Sequence, residues 1–146
     1  QTVTVTIVDE CPVQGNEQWC FNGSHHVDLN QAAYAAIGAN DNPAVTWRYV
    51  SCSGSGNVQY QWHEDAHSGW LALTIVNHRN RIQAVTINGV AMTRADYNVW
   101  TPQGSVSGSS PYTVRVTDIH GNVVQDSVAF ATNTVVPGGS QFPACD

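Results

Sequence analysis

Trp70-Leu-Ala-Leu-Thr-Ile-Val-Asn-His78 is the stretch that decides the fold of most of this chain. Successive side chains of an extended strand alternate between faces. Leu71, Leu73 and Ile75 therefore point one way, and Trp70, Ala72, Thr74 and Val76 the other. One apolar row with a Trp leading the opposite row is the pattern of a strand packed on a core by one face. The same period runs outward in both directions. Val58-Gln59-Tyr60-Gln61-Trp62 alternates strictly, which puts Trp62 on the face of Val58 and Tyr60 and predicts it in the core. Ile87-Asn88-Gly89-Val90 is a hairpin turn of type I′, since Asn and Gly both tolerate the positive φ it demands. Tyr112, Val114 and Val116 alternate with Thr113, Arg115 and Thr117, and Asp118-Ile119-His120-Gly121-Asn122 turns the chain into a strand from Val123 to Phe130. Short strands at this spacing predict a β-sandwich over residues 57–146.

Composition excludes several function classes. Of 146 residues only 11% are charged, none is Lys, and the formal net charge is −6. The basic footprint of a nucleic-acid binder is absent, and an anionic membrane would repel the chain. No apolar run reaches the length of a membrane span. Ser, Thr, Asn and Gln take the place of charges, a surface that hydrogen-bonds neutral partners. The hydrophobic share, 42%, is enough to bury a core. Four cysteines without a C-x-x-C pair fit disulfides in an oxidising, extracellular setting rather than a zinc knuckle. A start at Gln1 rather than Met is read as the mark of a removed N-terminal segment. Asn22-Gly23-Ser24 is a formal glycosylation sequon, a triplet that also arises by chance.

Residues 1–52 read differently. Val3 to Val8 alternates Thr with β-branched apolar residues and predicts a strand. A turn-rich loop follows with Cys11, Pro12, Gly15 and Cys20. The Ala-rich run from Leu29 to Ile37 predicts a helix, with Asp28 near its N-cap and Gly38 at its end. Val45 to Val50 predicts a further strand, and residues 53–56 (Ser-Gly-Ser-Gly) a short linker. About fifty residues are few for an independent core, so this part is expected to be incomplete.

With these motifs in place the chain resembles the bacterial expansins. The run from Trp70 to His78, then Ala95-Asp-Tyr-Asn98, Val114-Arg-Val-Thr-Asp-Ile-His-Gly121, Val136-Pro-Gly and Gln141-Phe-Pro143 are similar, in order, to the second expansin domain, a cellulose-binding sandwich. Val8-Asp-Glu-Cys-Pro12, His26-Val-Asp-Leu29 and Trp47-Arg-Tyr-Val-Ser-Cys52 resemble the C-terminal part of the expansin double-psi β-barrel. The resemblance implies a mainly β protein: a partial double-psi barrel over residues 1–52 with one short helix, then an immunoglobulin-like sandwich. Its departure is that family members carry a further barrel stretch before the segment that begins here, so a missing N-terminal barrel segment is a candidate partner.

The resemblance also implies a function: secreted, non-hydrolytic loosening of plant cell walls by binding cellulose or another neutral wall polysaccharide, with no cofactor and no metal. Trp70 and Tyr97 match two positions of a linear aromatic platform. Flat rings suit pyranose sugars because axial C–H groups meet a π face as water leaves. The third platform position is Gly69 here, and Trp100 is a candidate replacement. His63 matches a basic position beside the binding face. Asp28 matches the acid of the family's barrel motif, with Val27 in place of its Phe; in related barrel glycosidases that carboxylate is the general acid. Hydrolysis needs a second carboxylate, and nearby Asp9 matches a family position other than the hydrolase base. No catalytic residue is therefore assigned, and Asp28 and Asp9 are the polar centre of the barrel part. A helix-capping role for Asp28 is an equal alternative. A glycosidase or lytic transglycosylase on the same barrel, or a pure carbohydrate-binding module, are the rival functions. His25, His26 and Asp28 are a weak metal pattern, because adjacent histidines on a strand face opposite ways. Cys11 and Cys20 are placed to clip the loop between them. The family pairs the equivalent of Cys52 within the barrel, which leaves Cys145 as its candidate partner among three connectivities.

Overall fold

The computed structural model describes residues 1–8, 11–21, 26–38, 40–52 and 55–144. It divides into two units, Gln1–Arg48 and Tyr49–Asp146.

In the first unit, helix α1 (Gln31–Ala36) is capped by Asn30, whose Oδ1 accepts the Ala33 N–H at 2.8 Å. The cap is therefore Asn30 and not Asp28. Asn is as good an N-cap as Asp, and from position 30 its short side chain reaches the donor three residues on. The helix ends as expected, with Gly38 at φ 68° donating back to Ala35. Cys11 and Cys20 are disulfide-bonded, with Cα atoms 5.7 Å apart. Their loop is tightened by Asn16, whose carbonyl accepts the N–H groups of Trp19 and Cys20.

The strands expected at residues 3–8 and 45–50 do not form among the described residues. Ile7 and Val8 stand 76% and 89% exposed. Alternation of β-branched residues expresses itself as a strand only against a partner and a half-buried face, and among the described residues of this unit Ala33 is the buried hydrophobic one.

The second unit is mainly β. Its strands are β1 (Gln59–Trp62), β2 (Leu73–Val76), β3 (Ile82–Ile87), β4 (Val90–Arg94), β5 (Trp100–Pro102), β6 (Tyr112–Asp118), β7 (Val123–Val128) and β8 (Val135–Pro137). They form one eight-stranded antiparallel sheet in the order β7-β6-β3-β4-β5-β2-β1-β8. The β3–β4 hairpin turns at Asn88-Gly89 with φ of 46° and 82°, the two positive angles of a type I′ turn. Asn88 also works sideways: its Oδ1 accepts the Thr113 N–H and its Nδ2 donates to the Ser107 carbonyl, each at 2.8 Å.

The sheet curls until its two edge strands meet, a nearly closed, barrel-like arrangement. Asp126 on β7 accepts the Tyr60 hydroxyl at 2.6 Å and the Gly139 N–H, just past β8, at 2.7 Å. Burial, the hydrogen bond and the facing charge push the Tyr60 hydroxyl well above the ordinary phenol range. Gly138 is required here, since a Cβ would meet the Val58 carbonyl oxygen at 2.7 Å. Trp62 closes the same seam by donating its indole N–H to the Ala129 carbonyl at 2.8 Å. Inside lies a single core of Tyr60, Trp62, Leu73, Ile75, Ile87, Val114, Val116, Val128 and Phe142 among others, with Phe130 edge-on to Trp62 at 4.9 Å. Trp62 thus sits where the alternation put it.

One buried charge fastens the β6–β7 turn. Asp118 is fully buried and accepts four bonds, from Asn80 Nδ2, the His120 N–H, and the Asn122 N–H and Nδ2, at 2.8–2.9 Å. Burial raises its pKa, but these donors outweigh burial and hold it below the ordinary carboxylate value. A depressed folded pKa contributes stability that is present above the unfolded value, about 4, and is lost as pH falls through the folded one. Thermal melts should therefore lose Tm as pH drops below about 4. Asp118→Asn should be destabilised by about 2 kcal/mol at neutral pH, with a flatter acid limb. An unchanged acid limb in the variant would show that other carboxylates carry it.

Candidate functional site

Strands β2 and β5 are antiparallel neighbours, paired at Leu73 and Trp100. Both of these side chains are buried. Trp70 lies three residues before Leu73, and Tyr97 three before Trp100. Because the strands run oppositely, these two aromatics stand at opposite ends of the pair, no more than about 20 Å apart along it at ~3.3 Å per residue. Trp70 is 37% and Tyr97 64% exposed. The β2–β5 pair is thus a short beam with an open ring at each end.

Each ring is held by its local backbone. Trp70 and His67 exchange backbone hydrogen bonds at 2.8 and 3.1 Å across a two-residue turn. His63 stands edge-on to the Trp70 ring, 5.4 Å between centroids at 80°. A positive ring edge against a π face is a favourable pairing, and it fixes the indole. His63 is itself fixed, since its N–H donates to Ala72 and its Nδ1 accepts the Asp65 N–H at 3.2 Å. Tyr97 rides the β4–β5 hairpin loop, closed by Ala95 N–H to the Val99 carbonyl at 2.8 Å. Asn98, at φ 65°, makes the turn.

Two details differ from the plain alternation. Ala72 is fully buried rather than outward-facing, because β2 begins at Leu73 and residues 67–72 fold back along the His63 loop. Trp100, expected as a substitute surface ring, is 5% exposed. It faces the same side as Leu73 and fills the core, so it offers no open face to a ligand. Gly69 does not leave an empty third position. His67 occupies the room: a Cβ on Gly69 would meet its ring atoms at 3.2 and 3.3 Å, and the Gly69 N–H donates to His67 Nδ1.

Beside Trp70 runs a polar groove lined by Gln61, His63, Glu64, Thr74 and Asn133. Gln61 and Thr74 are cross-strand partners on β1 and β2. Amide and hydroxyl groups of this kind suit neutral hydroxyl ligands. The strict alternation of residues 58–62 already put Gln61 outward; Asn133, brought in by the segment before β8, had no local signal.

In the first unit, Asp28 is exposed and 3.6 Å from His26 Nδ1. Its carboxylate lies within 4.8 Å of both Cys11 and Cys20 sulfurs. Those sulfurs are bonded to each other, so they offer no thiolate to a metal. Asp9 and His25 lie outside the described residues, as does Cys145. Cys52 is half-buried, its N–H on the Arg79 carbonyl, and carries no disulfide among the described residues. No helix of the described residues is long and apolar enough to cross a membrane.

Comparison with known proteins adds to this geometry. No family model matches the chain. Expansin-like protein 5 of Dictyostelium discoideum is 25% identical over 151 residues, covering 97% of this chain and 60% of that protein. Expansin-YoaJ of Bacillus subtilis is 29% identical over 129 residues, covering 80% and 55%. The chain spans about half the length of the curated relatives it matches. Among solved structures, the expansin of Clavibacter michiganensis superposes with a TM-score of 0.66 at 27% identity, over 84% of this chain and 64% of that one. A point mutant of that expansin, solved in complex with cellohexaose, matches at a TM-score of 0.59 and 29% identity over 69% of this chain and 51% of that one. These findings support an expansin-like protein.

Proposed function

We propose that this protein binds cellulose or a related neutral wall polysaccharide along the β2–β5 pair, and loosens plant cell walls without cutting the polymer. The observation that carries this reading is the pair of exposed rings, Trp70 and Tyr97, flanking the β2–β5 pairing at opposite ends. A flat-faced, extended glucan needs stacking surfaces spaced along a line, and a two-ended beam supplies them. The likeness to an expansin solved with cellohexaose supports the ligand class.

The chemistry follows from desolvation. Stacking a pyranose ring on Trp70 and another on Tyr97 releases water from apolar faces. Gln61, Thr74 and Asn133 then accept and donate hydrogen bonds to equatorial hydroxyls beside the Trp70 end. His63 serves twice, holding the indole by its edge and bordering the groove. Such a surface needs no charge, in keeping with a chain of which only 11% is charged.

In this reading residues 57–146, whose one sheet closes on itself, are the anchoring domain and residues 1–52 contribute the C-terminal part of a double-psi barrel, in a secreted protein. Asp28 would engage a hydroxyl of the same or a neighbouring chain, competing with the lateral hydrogen bonds that hold glucans together. Competition of this sort breaks only non-covalent contacts, so it calls for no second carboxylate.

A pull-down on microcrystalline cellulose tests the anchoring. Trp70→Ala and Tyr97→Ala should each weaken binding about tenfold, the loss of one stacking anchor of roughly 1–1.5 kcal/mol. Asp28→Asn should bind normally yet reduce the extension of a clamped wall strip, with no reducing ends released by either protein. Normal extension by Asp28→Asn would leave a pure binding module, and release of reducing ends would make the protein a hydrolase.

A further inference from the structure

The second unit draws its own two ends together. Strands β1 and β8 are antiparallel neighbours with Gln59 opposite Pro137, so the chain entering β1 and the chain leaving β8 depart from the same end of that pair. They go on running side by side. The Val58 N–H donates to the Ser140 carbonyl at 2.9 Å, the Gly138 N–H to the Val58 carbonyl at 2.8 Å, and Gln141 Nε2 to the Gly56 carbonyl at 3.1 Å. Phe142, 1% exposed, pins the leaving segment to the core.

Further out, both segments lie against the same residues between β2 and β3. The Cys52 N–H donates to the Arg79 carbonyl at 2.8 Å, and Arg79 Nη1 donates to the Phe142 carbonyl at 3.3 Å. Buried Asn80 reaches both ways with one side chain. Its Oδ1 accepts the Ser51 hydroxyl at 2.7 Å, and its Nδ2 donates to the Pro143 carbonyl at 2.9 Å. Ser51 and Pro143 are thus held by the two ends of one amide group.

Two cysteines follow this convergence. Gly56 and Gln141 touch, and four residues outward from each along the chain come Cys52 and Cys145. Cys52 adjoins Ser51, and Cys145 is two residues beyond Pro143, a step of at most about 7 Å. That step is on the scale of the Cα separation in a disulfide, roughly 4.4–6.8 Å. Of the four cysteines, Cys11 and Cys20 are already bonded to each other in the first unit.

We infer that Cys52 and Cys145 form a disulfide that closes the whole sheet, β1 to β8, into one covalent loop. The step is thiol–disulfide exchange with a small disulfide oxidant such as oxidised glutathione. The thiolate of one cysteine attacks the oxidant and releases its first thiol. The thiolate of the other attacks the mixed disulfide and releases the second. One S–S bond forms in the protein as one breaks in the oxidant, which takes up the two electrons and the two protons. The bond secures the seam of the sheet. The segment after β8 carries Gly139, whose N–H Asp126 accepts, and Phe142 of the core, so tying its end to Cys52 stops the seam from opening by fraying of the tail.

Trypsin makes the test direct, since the chain has five Arg and no Lys. Cleavage leaves Cys11 and Cys20 in one peptide, residues 1–48, and separates Cys52, in 49–79, from Cys145, in 116–146. The protein folded in a glutathione redox buffer, denatured in iodoacetamide and digested without reductant should yield 49–79 joined to 116–146. The two should part when dithiothreitol is added. Cys52→Ser should open Cys145 to alkylation and leave the 1–48 peptide unalkylated. In melts without reductant, Cys52→Ser/Cys145→Ser should lose about 10 °C of Tm, the scale of a disulfide closing a long loop. Recovery of Cys52 and Cys145 both alkylated, or of 49–79 joined to 1–48 or to a second copy of itself, would overturn the inference. A Tm that the double substitution does not move would overturn the role given to the bond in the seam.

Discussion

The carboxylate of Asp126 is the constraint on which the second unit depends. An open antiparallel sheet of eight strands would leave β7 and β8 as edges with unpaired backbone groups, an invitation to pair with other chains. Asp126 draws those edges together by accepting from Tyr60 and from Gly139. Gly138 lets the backbones approach, and Trp62 adds its bond to Ala129. Closure turns one face of the sheet wholly inward and gives Leu73 and Trp100 a dry interior to fill. The opposite consequence is external: residues a few places before these two are left at the surface, on a strand pair that the core holds rigid. The exposed rings of Trp70 and Tyr97 follow from a seam on the far side of the sheet order.

That chain of causes explains which features could be read from the residues alone. The inward row of Leu71, Leu73 and Ile75, the burial of Trp62 and the Asn88-Gly89 turn rest on period-two alternation and on the φ preferences of Asn and Gly, both local properties. Trp70 is exposed as read, but the turn with His67 sets it there rather than the alternation, since Ala72 of the same row is buried. Trp100 was not legible, because its side is set by pairing with Leu73 across β2 and β5, a long-range register that no local pattern announces. The first unit shows the limit from the other side. The Thr and Val alternation of residues 3–8 satisfies every local rule for a strand, yet among the described residues it has no ladder to join. The N-cap moved by two residues, from Asp28 to Asn30, because either side chain can accept from the first turn and only geometry chooses between them.

Charge is used sparingly and in separate places. Asp118 is sunk in four hydrogen bonds and serves the β6–β7 turn. Asp126 serves the seam. The surface around Trp70 is aromatic and lined by amide and hydroxyl groups. A mean property such as net charge describes the long-range field, and it is silent on contacts made within a few ångströms.

The most direct measurement is an NMR titration with cellohexaose, following the indole N–H signals of the tryptophans and the ring signals of the tyrosines. The account predicts saturable shifts at Trp70 and Tyr97, while the buried Trp62 and Trp100 stay in place. Shifts confined to other tryptophans, or a Trp70 signal that does not move while the ligand demonstrably binds, would contradict it.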